Sequence, residues 1–183
     1  MINEDSVEIA AELCSKEEAL IKLAQLHRAQ GNIYDLRRFL SDIRDREMQS
    51  SGAISGRIAI TALSDRTARD TRITAITVKD GIEYGSPDRR PVKLIFLIAG
   101  RNNSDEYLAL KTRLMRLLMD SVFSAKLCSA KDKREFVELI GERERIRFAP
   151  PEPKKEYDCS KFLIKKIKKR SLRDLIPINY QKS

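Results

Sequence analysis

One histidine, His27, and three cysteines, Cys14, Cys128 and Cys159, are the chain's whole supply of imidazole and thiol ligands, and no Cys-x-x-Cys pair occurs. A closed zinc site draws four such ligands from short spacings, so the composition argues against a metal centre and no cofactor is expected. An odd, widely scattered set of cysteines builds no disulfide framework either, and the thiols are expected to be reduced. No apolar run approaches the roughly 18 residues that a membrane-spanning helix requires. The opening residues Met1-Ile2-Asn3-Glu4-Asp5 contain neither a basic n-region nor an apolar h-region, which points to the cytoplasm. Also missing are the Walker phosphate loop, Gly-x-Gly-x-x-Gly and Gly-x-Ser-x-Gly. Gly52-x-x-x-Gly56 lacks the Walker spacing and its Gly-Lys-Ser/Thr end, and suits a tight turn before a strand.

What is present fits a globular α/β protein. The 183 residues are 42% apolar and 34% charged, a one-domain length that buries about 70% of its unfolded surface. The net charge of +9 is uneven, because residues 150–183 hold ten Lys and Arg against four Asp and Glu. Pro150-Pro151-Glu152-Pro153 cannot continue a helix, since its rings fix φ and remove amide donors. Three parts follow: a domain over 1–149, a stiff linker over 150–153 and a basic tail over 154–183. In the tail, Phe162, Leu163, Ile164 and Ile167 alternate with Lys161, Lys165, Lys166, Lys168, Lys169 and Arg170, the pattern of a basic amphipathic helix.

Hydrophobic spacing places the elements of the domain. A first strand is expected over Val7–Leu13, and Ser15-Lys16-Glu17-Glu18 forms a capping box for a helix whose inner face carries Leu20, Leu23, Ala24 and His27. His27 then sits at the edge of the core. A second helix over Tyr34–Met48 buries Leu36, Phe39, Leu40 and Ile43. Strands follow at 57–63, 72–79 and 92–99; the last is almost continuously apolar, as in a strand covered by helices on both sides. Ser104 caps a helix with Leu110, Leu114, Leu117 and Leu118 inward and Met115 and Met119 as gap-fillers. Two further helices are expected at 121–128 and 132–147.

Three segments carry a family resemblance. Arg46-Glu47 through Ser51, Ile54, Ile58-Ala59-Ile60 and Thr61-Ala62 is similar to R-E-x-x-x-S-T-G-I-G-x-G-I-A-I-P-H-G; Gly81-Ile82-Glu83-Tyr84-Gly85 through Pro91-Val92 and Phe96-Leu97 is similar to G-I-D-W-G…P-V-x-L-V-F-L; and Asp105-Glu106-Tyr107-Leu108 is similar to D-E-H-L. These patterns mark the fructose/mannitol/nitrogen-type enzyme IIA domains of the bacterial phosphotransferase system. The resemblance covers roughly Ser6 to Ile140. It implies a mixed sheet of about five strands flanked by helices on both faces. It also implies a phosphorylated histidine where this chain has Ala62, and a second active-site histidine where it has Tyr107.

The expected function is therefore a non-catalytic enzyme IIA-like regulator that docks another protein, such as a transporter or a sensor kinase, as the nitrogen branch of the family does. Neither Thr61 nor Ser64 has an evident base to make its hydroxyl a nucleophile. Arg46, Ser51 and the amides of the nearby turn form a candidate anion pocket, with Arg57 beside it; pairing of Arg46 within its helix and a turn-capping Ser51 account for the same residues. A second function is association of the basic tail with an anionic membrane surface or nucleic acid. Sequence-specific readout is not expected, since the tail has few aromatics and no motif. A third is a phosphotransferase component with an activity of its own. A homo-oligomer is compatible with all three.

Overall fold

A computed structural model describes residues 2–54, 57–64, 66–102 and 104–148. The linker at 150–153, Cys159 and the basic tail residues Lys161, Lys165, Lys166, Lys168, Lys169 and Arg170 lie outside the described residues. The elements in chain order are β1 (Val7–Ala11), α1 (Lys16–Ala29), α2 (Leu36–Gln49), β2 (Ile58–Ser64), β3 (Arg72–Ile82), β4 (Val92–Gly100), α3 (Asp105–Leu118), α4 (Ser121–Cys128) and α5 (Lys133–Phe148). The four strands form one mixed sheet in the order β1-β3-β4-β2. β1 runs parallel to β3, β2 parallel to β4, and β3 antiparallel to β4. A fifth strand is not formed among the described residues; instead Ala53 bridges Ala59 along the outer side of β2.

Period-two alternation divides the sheet between two helical layers. Ala59, Ile76, Val78, Ile95, Leu97 and Ala99 pack with Leu20, Leu23, Phe39 and Ile43 of α1 and α2. Ile58, Ile73, Ala75, Leu94, Phe96 and Ile98 pack with α3, α4 and α5 through Leu114, Leu117, Phe123 and Phe136. β4, central and covered on both sides, is buried at every position except Lys93. That is the reason its sequence reads as a continuous apolar run rather than an alternating one.

The caps follow the sequence closely. Ser15 Oγ accepts the Glu18 amide at 3.2 Å, and the Glu18 carboxylate reaches back to the amide of Cys14, one residue before the cap itself. Asp35 caps α2 by accepting from Arg37 and Arg38, which leaves Tyr34 outside the helix and exposed. Ser104 Oγ accepts from the Tyr107 amide at 3.2 Å and so opens α3. Gly81 and Gly85, at φ +79 each, occupy left-handed turns at and beyond the end of β3 that favour glycine.

Several expectations are corrected. β1 stops at Ala11, because Ala10 turns to φ +53 and its amide leaves the ladder for Thr77 Oγ1 at 2.8 Å. His27 is in the core itself, fully buried, with Nε2 3.1 Å from the Leu97 carbonyl oxygen. Since a carbonyl only accepts, Nε2 carries the proton. Burial pushes the imidazole pKa down to about 4, with the Arg72 charge adding to the effect and the Leu97 bond opposing it. Met115, in the last turn of α3, and Met119, just beyond it, fill no gap in the core: both are exposed, Met119 at 82%.

Candidate functional site at the end of strand β2

Neighbouring residues of β2 face opposite layers, and this separates two groups of side chains. Ala62, paired with Ile98 of β4, is half-buried against the cluster that contains Tyr107, Ile98 and Leu114. Tyr107 stands in the first turn of α3 and packs over the end of β4, where a Cβ on Gly100 would meet its ring. Burial raises the Tyr107 phenol above its ordinary pKa, and the Arg46 guanidinium partly offsets the rise. Ala62 and Tyr107 thus share one packed cluster, with the Arg46 charge near enough to act on it. The cluster offers a methyl group and a neutral phenol.

Thr61 points the other way and closes a buried polar network. Its hydroxyl donates to Glu47 of α2; with its one hydrogen so used, it must accept from the Tyr84 hydroxyl, 2.9 Å away. The Glu47 carboxylate also accepts from the Gly52 amide at 3.0 Å and from Lys16 Nζ at 2.7 Å. Lys16 in turn lies over the Tyr84 ring, 4.6 Å from its centroid, in cation–π geometry. Burial and the Glu47 charge raise the Tyr84 phenol far above its ordinary value, so it stays protonated as a donor. A buried carboxylate is tolerated because several donors satisfy it. The network ties α1, α2, β2 and the turn at Gly52 together. Its signal lay in the i, i+4, i+8 spacing of Phe39, Ile43 and Glu47, which places the acid on the inner stripe of α2.

Thr61 therefore does have a carboxylate against its hydroxyl, contrary to the sequence expectation. At 1% exposure it is closed to a phosphate donor, and the pair serves structure.

The three candidate anion ligands do not converge. Arg46 Nη1 lies 3.4 Å from the Ser50 carbonyl oxygen of its own helix end. Ser51 Oγ donates to the Tyr84 carbonyl at 3.1 Å and accepts from the Ala53 amide, which makes it a turn brace. Arg57 sits at the opposite end of β2, about 16 Å of strand from Ala62 by the usual rise per residue. There, with Lys93, it opposes the burial that raises the Cys128 thiol.

At the Ile58 end of β2, away from Ala62, the α3–α4 layer carries an apolar groove of about 450 Å³, lined by Ile54, Ile58, Met115, Leu118 and Met119. Ile54, Met115 and Met119 are exposed along it. Isolated exposed apolar side chains are ordinary, but a contiguous set with a groove marks a contact surface.

Residues 1–143 match the profile of the family described as phosphoenolpyruvate-dependent sugar phosphotransferase system, EIIA 2. The chain belongs to this family. This EIIA type 2 domain is 26% identical over 148 residues to the PTS system fructose-specific EIIABC component of Bacillus subtilis (strain 168), a match covering 79% of the chain. It spans only 23% of that relative's length. Its fold matches the nitrogen regulatory protein IIA-Ntr of Neisseria meningitidis with a TM-score of 0.69 at 17% identity, over 75% of this chain and 94% of that one. It also matches enzyme IIAMTL of Escherichia coli, solved in complex with phosphorylated enzyme IIBMTL, with a TM-score of 0.67 at 19% identity over 78% and 98% of the two chains. Among the described residues of the EIIA domain no helix is long and apolar enough to cross a membrane.

Proposed function

We propose that this EIIA type 2 domain docks another protein without carrying phosphate at the position of the family histidine. The observation behind it is the shared cluster of Ala62 and Tyr107: a methyl group and a neutral phenol stand where relay between proteins needs an imidazole nitrogen, whose phosphorylated form passes phosphate on readily. Thr61 does not substitute, since a phosphate ester is a poor donor and its hydroxyl is buried. The groove by Met115 and Met119, at the other end of β2, gives the docking an apolar footing. The proposed partner is a second phosphotransferase protein of the IIB type, because a IIA fold of this kind has been solved in such a complex; a regulated transporter or sensor kinase is the variant of the same reading. The domain is proposed to act in the cytoplasm. A second reading, contact of the tail with anionic membrane or nucleic acid, rests on the excess of basic residues after 150.

The experiment is incubation with a phosphocarrier protein bearing labelled phosphate. The wild-type chain is expected to take up no label. The double variant Ala62→His, Tyr107→His is expected to acquire acid-labile, base-stable label. Stable label on wild-type His27 would overturn the proposal.

A further inference from the structure

The apolar groove at the Ile58 end of β2 is walled by Met115 and Met119 of α3, by Ser121 and Ser124 of α4, and by Ile54 and Ile58 along the sheet edge. A basic residue stands at each end of it. Lys111 precedes Met115 by one helical turn and Leu118 by two, which puts it on the flank of α3 that lines the groove. At the far end Arg57 directly precedes Ile58, and its charge, with that of Lys93, acts on the Cys128 thiol one turn of α4 beyond Ser124. Neither Lys111 nor Arg57 has an ion pair or a side-chain hydrogen bond among the described residues. The acids that adjoin the groove are engaged. Asp120 caps α4 and pairs with Arg143. Asp88 accepts from the Ser86 hydroxyl at 2.6 Å and from the Arg90 amide, with Ser86 Oγ 3.4 Å from the Ile54 carbonyl oxygen.

We propose that this groove receives an acidic amphipathic segment of a partner protein, its apolar side chains seated between Met115, Met119 and Ile58 and its flanking carboxylates set against Lys111 and Arg57. The inference rests on the docking reading above and gives that partner's chemistry. Unpaired cations beside an apolar recess select an acidic occupant, because like charges brought together across an interface are strongly disfavoured. Flexible methionine side chains adapt to the shape of what enters. A second copy of the chain docked through the same face would add two more cations to the contact. A bilayer is flat and leaves a recess between helices unfilled, whereas inserted side chains fill it. A small amphiphile would leave apolar surface uncovered: past Ser121, which the two share, Val122 and Ala125 carry it into a second, shallow hollow bordered by Lys126. Lys126 is likewise without an ion pair among the described residues.

The full chain is panned against a randomised peptide display library, in parallel with the double variants Met115→Glu, Met119→Glu and Lys111→Glu, Arg57→Glu. All four positions lie outside the buried core, and matching thermal unfolding verifies the folds. The basic tail is common to the three chains, so acidic peptides that it holds are recovered from each of them. Peptides enriched on the wild type and lost on the methionine variant are expected to carry apolar residues with Asp or Glu on both sides. In fluorescence anisotropy the leading peptide is expected to bind either variant about tenfold more weakly, and its version with Lys in place of the acids to prefer the charge-reversed chain to the wild type. No groove-dependent peptide, groove-dependent peptides without acidic flanks, or a Lys version that gains nothing on the charge-reversed chain would overturn the proposal. So would vesicle binding or self-association that disappears in the methionine variant, which would assign the groove to a bilayer or to a second copy. Label uptake by the wild-type chain from the phosphocarrier would overturn the docking reading and this inference together, whereas failure of the peptide pattern alone would leave that reading standing.

Discussion

Gly100 and Tyr107 are packed so closely that a Cβ on Gly100 would lie 2.5 Å from Tyr107 Cδ2 and 3.1 Å from its Cβ. The bare backbone at the end of β4 is the seat on which the Tyr107 ring rests, and it sets where α3 begins relative to the sheet. Gly100→Ala is expected to destabilise the fold by about 1–3 kcal/mol through overpacking. Combining it with Tyr107→Ala should cost less than the sum of the two, by the coupling expected of touching residues. Denaturant unfolding of the four chains measures both, and strict additivity would show that the contact is not what limits Gly100.

Glu47 should be among the most sensitive polar positions. Glu47→Ala leaves the buried Thr61 hydroxyl and the Gly52 amide without their acceptor and the half-buried Lys16 without its partner, and the expected loss is about 2–3 kcal/mol. Glu47→Gln keeps acceptor capacity and should cost less. The midpoint of urea unfolding distinguishes the two, and a loss in Glu47→Ala no larger than in an exposed control such as Glu106→Ala would remove the network from the account of stability.

The buried imidazole makes stability depend on pH with a definite sign. His27 is neutral in the fold down to about pH 4, whereas an unfolded chain binds its proton near pH 6.5. The His27 contribution is complete above about pH 6.5 and is lost as pH falls towards 4, by roughly 3 kcal/mol over the window. Carboxylates titrate at the lower end of the same range, so the measurement is the difference between wild-type and His27→Gln unfolding profiles. That difference should be flat above pH 6.5 and should change below it.

Arg57 holds φ +70 without being glycine, at the position where the family pattern has glycine. The left-handed region costs a side-chain-bearing residue roughly 1–2 kcal/mol, part of which glycine returns as unfolded-state entropy. Arg57→Gly should therefore match or exceed the wild-type stability by up to about 1 kcal/mol, and Arg57→Val should fall below it because a β-branched residue tolerates this conformation worst. Thermal unfolding of the two variants checks the order, and Val at or above Gly would contradict it.

The basic tail yields a prediction from charge alone. Truncation after Ala149 should remove most binding to anionic vesicles or DNA at physiological salt, where the screening length is about 8 Å and dispersed charges lose reach. Vesicle sedimentation and mobility shift of the two chains would measure it, and equal binding by both would place the contact on the folded domain.

The sequence by itself determined the layers. The apolar run at Val92–Gly100 required helices on both sides, Ser15 and Ser104 marked their helix starts, and the spacing of Leu114, Leu117 and Leu118 oriented α3, because local propensity and periodicity depend only on neighbours along the chain. It also carried, through the patterns around Arg46, Gly81 and Asp105, the membership of the EIIA type 2 family. What only the tertiary structure decided was which polar groups meet. Glu47, Thr61, Tyr84 and Lys16 come from four separate segments and converge because α2 and β2 cross at one point; a residue's place on the inner stripe of its own helix does not say what it faces. Arg57 and Ser51, six positions apart in sequence, are divided by a turn that sends them to opposite ends of β2. His27 passed from edge to centre for the same reason: burial is set by the elements packed above a residue, and those lie some seventy positions away at Leu97.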